Sequence, residues 1–233
     1  VQKDMRYPTA ATGRQEKGGD NIVCYGTSAV REAKPEVCTH PLLLISHGYG
    51  GNWRNLNWLA SAMAAQGYIV AAVDHPGTTT LNKSEQDAKQ LWRRPQDLQR
   101  VMAKIIATPS LAGQVDVQRI AAAGHSLGGW TVLELAGARF DAERFQTDCR
   151  THTALSACKL IPTLGIDNAA TQLAVDAREP KIRAVVSLDL GLARGFTPES
   201  LSQIAVPVLI MSAPAHHDAP APQRAAPGKR RPR

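Results

Sequence analysis

The sequence predicts an α/β fold with a mostly parallel central sheet and helices on both faces. Three observations lead there. Short strand-like runs, dominated by apolar residues, recur at 42–45, 68–73, 119–123, 182–188 and 206–211. Their length and texture suit strands buried on both faces. The segments between them carry apolar residues at helical spacing, and strand and helix alternate along the chain.

Each element has its own signal. Residues 1–40 are polar and rich in Gly, Lys and Glu, with a short apolar run at 22–25, and read as loops plus an edge strand. Residues 55–66 carry Leu56, Leu59, Ala60 and Met63 on one helical face, and Gly67 follows as a stop. Pro95 suits the opening of a helix whose face is Leu98, Val101, Met102, Ile105 and Ile106. Residues 129–138 give a third helix and 198–204 a short one. Residues 139–180 lack a period and read as an inserted cap within a domain spanning 1–212. Residues 213–233 form a Pro/Ala/Arg tail expected to be disordered: five prolines and no large apolar residue exclude a helix or buried strand.

Composition narrows the class. The chain has 233 residues, 43% hydrophobic and 20% charged, which suits one soluble domain. No run reaches the roughly 18 apolar residues of a membrane span. The formal charge is +7, but Arg224, Lys229, Arg230, Arg231 and Arg233 lie in the tail against Asp218. The basic balance therefore belongs to a solvated end, and no nucleic-acid partner is expected. Cys24, Cys38, Cys149 and Cys158 form two local pairs without zinc-like spacing. Two disulfides, Cys24–Cys38 and Cys149–Cys158, are expected, with four free thiols as the alternative. The first would close a loop worth about 3 kcal/mol. Paired cysteines point to a periplasmic or secreted protein. The chain starts at Val1 rather than Met, consistent with a removed upstream segment such as a signal peptide.

Chemistry concentrates in two glycine motifs. Gly124-His125-Ser126-Leu127-Gly128 lies between a predicted strand and a predicted helix. A serine there sits on a sharp, strained turn, and small flanking residues let strand and helix pass closely. The helix N-terminus behind it favours developing negative charge. The alternative is a glycine-rich turn without chemistry. Ser46-His47-Gly48-Tyr49-Gly50-Gly51 ends the 42–45 strand. Acyl transfer needs two donors for the oxyanion. The Leu127 N–H, directly after the nucleophile, supplies one, and Tyr49 in this turn is the candidate for the other. His47 and His125 are expected to make local hydrogen bonds, and His75 to line the pocket.

With these two motifs paired, the sequence resembles the α/β-hydrolase superfamily. It is similar to the bacterial predicted dienelactone hydrolase group, related to platelet-activating-factor acetylhydrolases. Asp74-His75-Pro76-Gly77-Thr78-Thr79 and the cysteines at 149 and 158 fit that group. Tyr7-Pro8-Thr9 resembles the end of an early strand in such proteins. The nucleophile here is serine, where true dienelactone hydrolases use cysteine, so the resemblance implies ester cleavage rather than lactone specificity. Ser187-Leu188-Asp189 resembles the acid-bearing strand end of the acetylhydrolases, whose triad runs Ser, Asp, His. Asp189 is therefore the expected acid, which would hold an imidazole's tautomer, with Asp74 as a rival.

The resemblance places the triad histidine beyond Met211, where only His216 and His217 occur, and these are weak candidates. The expectation is that the C-terminal part is incomplete, truncated or out of frame. The resulting expectation is a serine esterase acting on a small-molecule or lipid-like ester, with no metal or organic cofactor. A base-deficient, non-catalytic relative acting by binding is the alternative.

Overall fold

The computed structural model describes residues 2–18, 26–167 and 170–212. Strands β1 (Gln2–Arg6), β2 (Gln15–Gly18), β3 (Thr27–Val30) and β4 (Thr39–Ser46) precede helix α1 (Asn57–Ala65) and β5 (Ile69–Asp74). Helices α2 (Glu85–Ala88) and α3 (Arg93–Ala107) lead to β6 (Gln114–His125) and α4 (Leu127–Ala136). Then follow α5 (Ala142–Thr151), α6 (Ala170–Leu173), β7 (Ile182–Leu188), α7 (Pro198–Ser202) and β8 (Val208–Met211).

Six strands form one sheet in the order β1-β5-β4-β6-β7-β8. All neighbours are parallel except β1, which runs antiparallel to β5. β2 and β3 form a separate antiparallel pair. The expected mostly parallel sheet is present.

Alternation along β4 explains its apolar run. Leu42 and Leu44 point into one core with Ile69, Ala71 and Ala122, covered by α3 and α4. Leu43 and Ile45 point the other way, with Val70, Ala72 and Ala123, against Ala60 of α1 and Leu56 just before it. A strand buried on both faces has no polar side to show. Pro95 falls in the first turn of α3, where a missing N–H breaks no helical bond. Every residue of α4 is buried, as an almost wholly apolar helix requires.

Some expectations need adjustment. β6 begins at Gln114, five residues before the expected strand, because its first half is polar and partly exposed while its backbone still pairs with β4. β1 carried no strong pattern but ends at Arg6, immediately before Tyr7-Pro8-Thr9. The apolar run at 22–25 and the tail 213–233 lie outside the described residues. Phe140, Phe145, Leu164, Ile166 and Leu173, from the segment between α4 and β7, join the core shared with α3 and α4. Cys149 and Cys158 are disulfide-bonded within that segment. Cys38 is exposed, and its expected partner Cys24 is outside the described residues. The β8 side chains Leu209, Ile210 and Met211 are about half exposed at the sheet's edge.

The tightest backbone approach lies at the start of α4. A Cβ added to Gly124 would lie 2.1 Å from Gly128 O, and one added to Gly128 would lie 2.0 Å from Ser46 O. Backbone atoms stand in both places, so no side-chain rotation relieves the overlap. Gly128→Ala is expected to cost about 3 kcal/mol or more, at the upper end of core overpacking. Chemical denaturation checks this; a loss below about 1 kcal/mol would contradict so close a crossing.

Candidate active site

Ser126 is the single residue between β6 and α4. Its backbone takes φ 53° and ψ −115°, a conformation L-residues rarely adopt. Three backbone bonds hold it there. Its N–H donates to Leu188 O at 2.8 Å, and its carbonyl accepts from Trp130 N at 3.2 Å and Gly191 N at 3.1 Å. The end of β7 and the turn after it therefore brace the elbow. Ser126 is partly accessible, while Leu127 behind it is buried.

The second glycine motif reaches the same point. Ser46, His47 and Gly48 are buried, and Tyr49 to Gly51 are half-buried. A Cβ on Gly48 would stand 3.2 Å from Ser126 Cβ, so the turn passes directly beside Ser126. Gly50 takes φ 71°; Gly50 N–H donates to Thr78 O and Thr80 N–H to Gly51 O, which pins the turn to the 78–80 loop. Among the described residues, no acceptor in the chain takes the N–H of Tyr49 or of Leu127. Leu127 N is the first amide of α4, where intrahelical partners are lacking by geometry.

Asp189 directly follows β7 with φ 49°, its N–H donating to Met211 O at 2.6 Å. It lies two residues before Gly191, whose N–H holds the elbow, and its side chain is exposed. The rival Asp74 has a structural task instead: Oδ1 accepts the Trp53 N–H at 2.6 Å, just ahead of α1. Burial raises its pKa, countered by that bond and by Arg54. His216 and His217 lie outside the described residues. His125 is exposed, with Nδ1 on the Gly48 side of the elbow.

Sequence reasoning missed a buried polar network beneath the turn. Ser46, His47, His75, Thr78, Arg94, Asp97 and Thr131 are all buried. Arg94 donates from Nε to Thr131 Oγ1 at 2.9 Å and from Nη1 to Thr78 Oγ1 at 2.5 Å. Its Nη2 donates to Ser46 Oγ at 3.2 Å and, in a short bond, to the His47 carbonyl. Burial pushes Arg94 down to about 9, with Asp97 opposing, so it remains a cation at neutral pH. His75, expected to line the pocket, is instead fully enclosed: Nδ1 bonds Asp97 Oδ2 and Nε2 bonds Ser46 Oγ, each at 2.9 Å. One signal was available. Arg94 and Asp97 sit on the same stripe as Leu98, Val101, Met102 and Ile105, two charges on an apolar face.

His47 has both ring nitrogens engaged, as expected of a local role. Nε2 accepts the His75 N–H at 3.0 Å, so Nδ1 carries the proton and donates to Gly48 O at 2.7 Å. Burial, then Arg94 and His75, push its pKa down to about 2. The unfolded chain therefore binds one more proton than the native one between about pH 6.5 and pH 2, and stability is lost as pH falls through that window. Replacing His47 by Gln removes this contribution. The stability gap between wild type and His47→Gln is expected to narrow by about 2 kcal/mol from pH 7 to pH 5. Urea unfolding at both pH values tests it; a gap independent of pH would show that the native ring takes up the proton.

Comparison with known proteins agrees with this geometry. The chain is 34% identical to cutinase est1 of Thermobifida alba over 103 residues, 44% of this chain and 32% of the relative. It is 28% identical to a bis(hydroxyethyl) terephthalate hydrolase of Streptomyces coelicolor over 101 residues, 43% of this chain and 30% of the relative. The matched stretch thus spans about a third of the length of these curated relatives. A ferulic acid esterase from Streptomyces cinnamoneus superimposes with a TM-score of 0.59 at 22% identity, over 88% of this chain and 55% of that one. That likeness, with the sheet order and elbow, identifies the fold as that of an α/β-hydrolase. The family model described as PET hydrolase-like matches residues 8–175, most of the chain. The chain belongs to the PET hydrolase-like family of α/β-hydrolases.

Proposed function

We propose that the protein is a serine hydrolase that cleaves carboxylic esters through an acyl-enzyme on Ser126. The observation that carries this reading is the strained serine at the N-terminus of α4, beside the Tyr49 and Leu127 amides, which have no acceptor among the described residues. In this mechanism Ser126 Oγ attacks the acyl carbon, and the two amides receive the oxyanion of the tetrahedral intermediate. The alcohol leaves, and water then releases the acid. Asp189 is the proposed acid, supported by its place at the β7 end beside the elbow. Acyl transfer also needs a base. His47 and His75 are committed to internal bonds, and His40 and His152 bond Gly67 O and Asp148 O in other parts of the fold. The proposal assigns the base to none of these four.

The relatives named as a cutinase, a bis(hydroxyethyl) terephthalate hydrolase and a ferulic acid esterase support an ester substrate with a bulky or aromatic acyl part. The Cys149–Cys158 bond supports a periplasmic or secreted location. Among the described residues, no helix is long and apolar enough to cross a membrane. A purely binding role is less well supported, because the elbow and the turn that serve acyl transfer are both intact.

A fluorophosphonate probe is expected to label wild type at Ser126, and Ser126→Ala to abolish labelling. p-Nitrophenyl butyrate hydrolysis should fall at least about a thousand-fold in that variant. Folded wild type that neither labels nor hydrolyses would remove the esterase reading.

A further inference from the structure

The buried network touches the oxyanion turn at two successive peptide units. Arg94 Nη2 holds the carbonyl of His47, which belongs to the His47–Gly48 peptide. The carbonyl of Gly48 accepts from His47 Nδ1 at 2.7 Å and from Gly51 N at 3.1 Å. That carbonyl shares one planar peptide unit with the Tyr49 N–H. In a trans peptide the N–H points opposite the C=O, so fixing the Gly48 oxygen fixes the direction of the Tyr49 donor. Gly48 itself offers no side chain to steer this plane, and glycine dihedrals are otherwise loosely restrained.

The support continues inward. The His47 ring is held by the His75 N–H on Nε2. The His75 ring is gripped between Asp97 and Ser46. Arg94 ties Ser46 and the His47 carbonyl to Thr78 and, through Thr131, to α4 itself. β4, the 75–78 loop, α3 and α4 therefore meet on one guanidinium. A buried cation bound mainly to neutral oxygens is an expensive way to fill a core, and apolar residues of similar volume would pack there at lower cost. Its bonds converge on the turn rather than on solvent or on a surface acid.

We propose that His47 and Arg94 are positioning residues that aim the Tyr49 N–H at the carbonyl oxygen of the bound ester. His47 acts on the Gly48–Tyr49 peptide directly, and Arg94 acts through the His47 carbonyl and the orientation of the His47 ring. Neither touches substrate. The inference rests on the reading of Ser126 as the nucleophile.

The test compares His47→Leu, His47→Asn and Arg94→Lys with wild type. The Asn amide can replace Nδ1–H as a donor to Gly48 O, whereas Leu cannot. With p-nitrophenyl butyrate, kcat is expected to fall roughly ten- to a hundred-fold in His47→Leu and Arg94→Lys, with KM within about threefold of wild type. His47→Asn should recover much of the loss, which a space-filling role would not predict. Independently of turnover, amide hydrogen exchange over residues 47–51 should quicken in His47→Leu and Arg94→Lys and stay slow in His47→Asn. If His47→Leu does not fold, Arg94→Lys and His47→Asn are read in the same way. Folded Leu or Lys variants with wild-type kcat, or with unchanged exchange over 47–51, would overturn the proposal. Wild type without turnover would instead remove the esterase reading, while the exchange comparison still decides whether these residues hold the turn.

Discussion

The end of β4 and the first turn of α4 touch through their backbones. A Cβ at Gly128 would lie 2.0 Å from Ser46 O, and one at Gly124 would lie 2.1 Å from Gly128 O. That absence of side chains lets β6 turn into α4 within one residue. The turn forces Ser126 into positive φ, presents its side chain at the carboxyl edge of the sheet, and leaves the Leu127 amide without an intrahelical acceptor. The same contact brings the end of β4 alongside Ser126, so the Ser46–Gly51 turn reaches the position proposed for an oxyanion donor. In open parallel sheets, sites form in the crevice at the carboxyl ends of the strands, which is the edge where Ser126 and the Ser46–Gly51 turn lie.

Close approach alone does not aim a donor. Backbone that carries φ 71° at Gly50 and no side chain at Gly48 is pliable, and a donor misdirected by a fraction of an ångström loses much of its electrostatic effect. Arg94, His47, His75, Ser46 and Asp97 answer that pliability with directional bonds inside the core. Fully satisfied buried networks rigidify their surroundings, at a cost in desolvation. The burial that keeps His47 neutral also leaves its Nε2 free to accept the His75 N–H. Stability and site geometry are thus coupled through the same groups.

What was legible in the sequence follows from how local each signal is. The elbow was readable because its glycines stand at fixed spacing around one serine. β4 was readable because burial on both faces makes Leu42–Ile45 continuously apolar, and β7 because its run is mostly apolar although Arg183 is exposed. The first half of β6 was not, since its side chains at 117–119 are exposed and its backbone pairs with β4 only at Gln114 and Val115 before the register shifts to Ile120. β1 was obscured for a similar reason: its antiparallel pairing with β5 comes from the backbone. The network was invisible because its members come from β4, the 75–78 loop, α3 and α4, and no spacing links them. Asp74 ends β5 and Asp189 directly follows β7, and the two looked alike in sequence. The bond from Trp53 N gives Asp74 a local task, whereas Asp189 remains exposed beside the elbow.

The central claim is that Ser126, Tyr49 and Leu127 form one acyl-transfer site. A crystal structure of the protein after reaction with a fluorophosphonate would test it most directly. The account predicts phosphorus bonded to Ser126 Oγ, with the phosphoryl oxygen about 3 Å from both Tyr49 N and Leu127 N. A Ser126 adduct whose phosphoryl oxygen turns away from both amides, or an adduct on another residue, would contradict it.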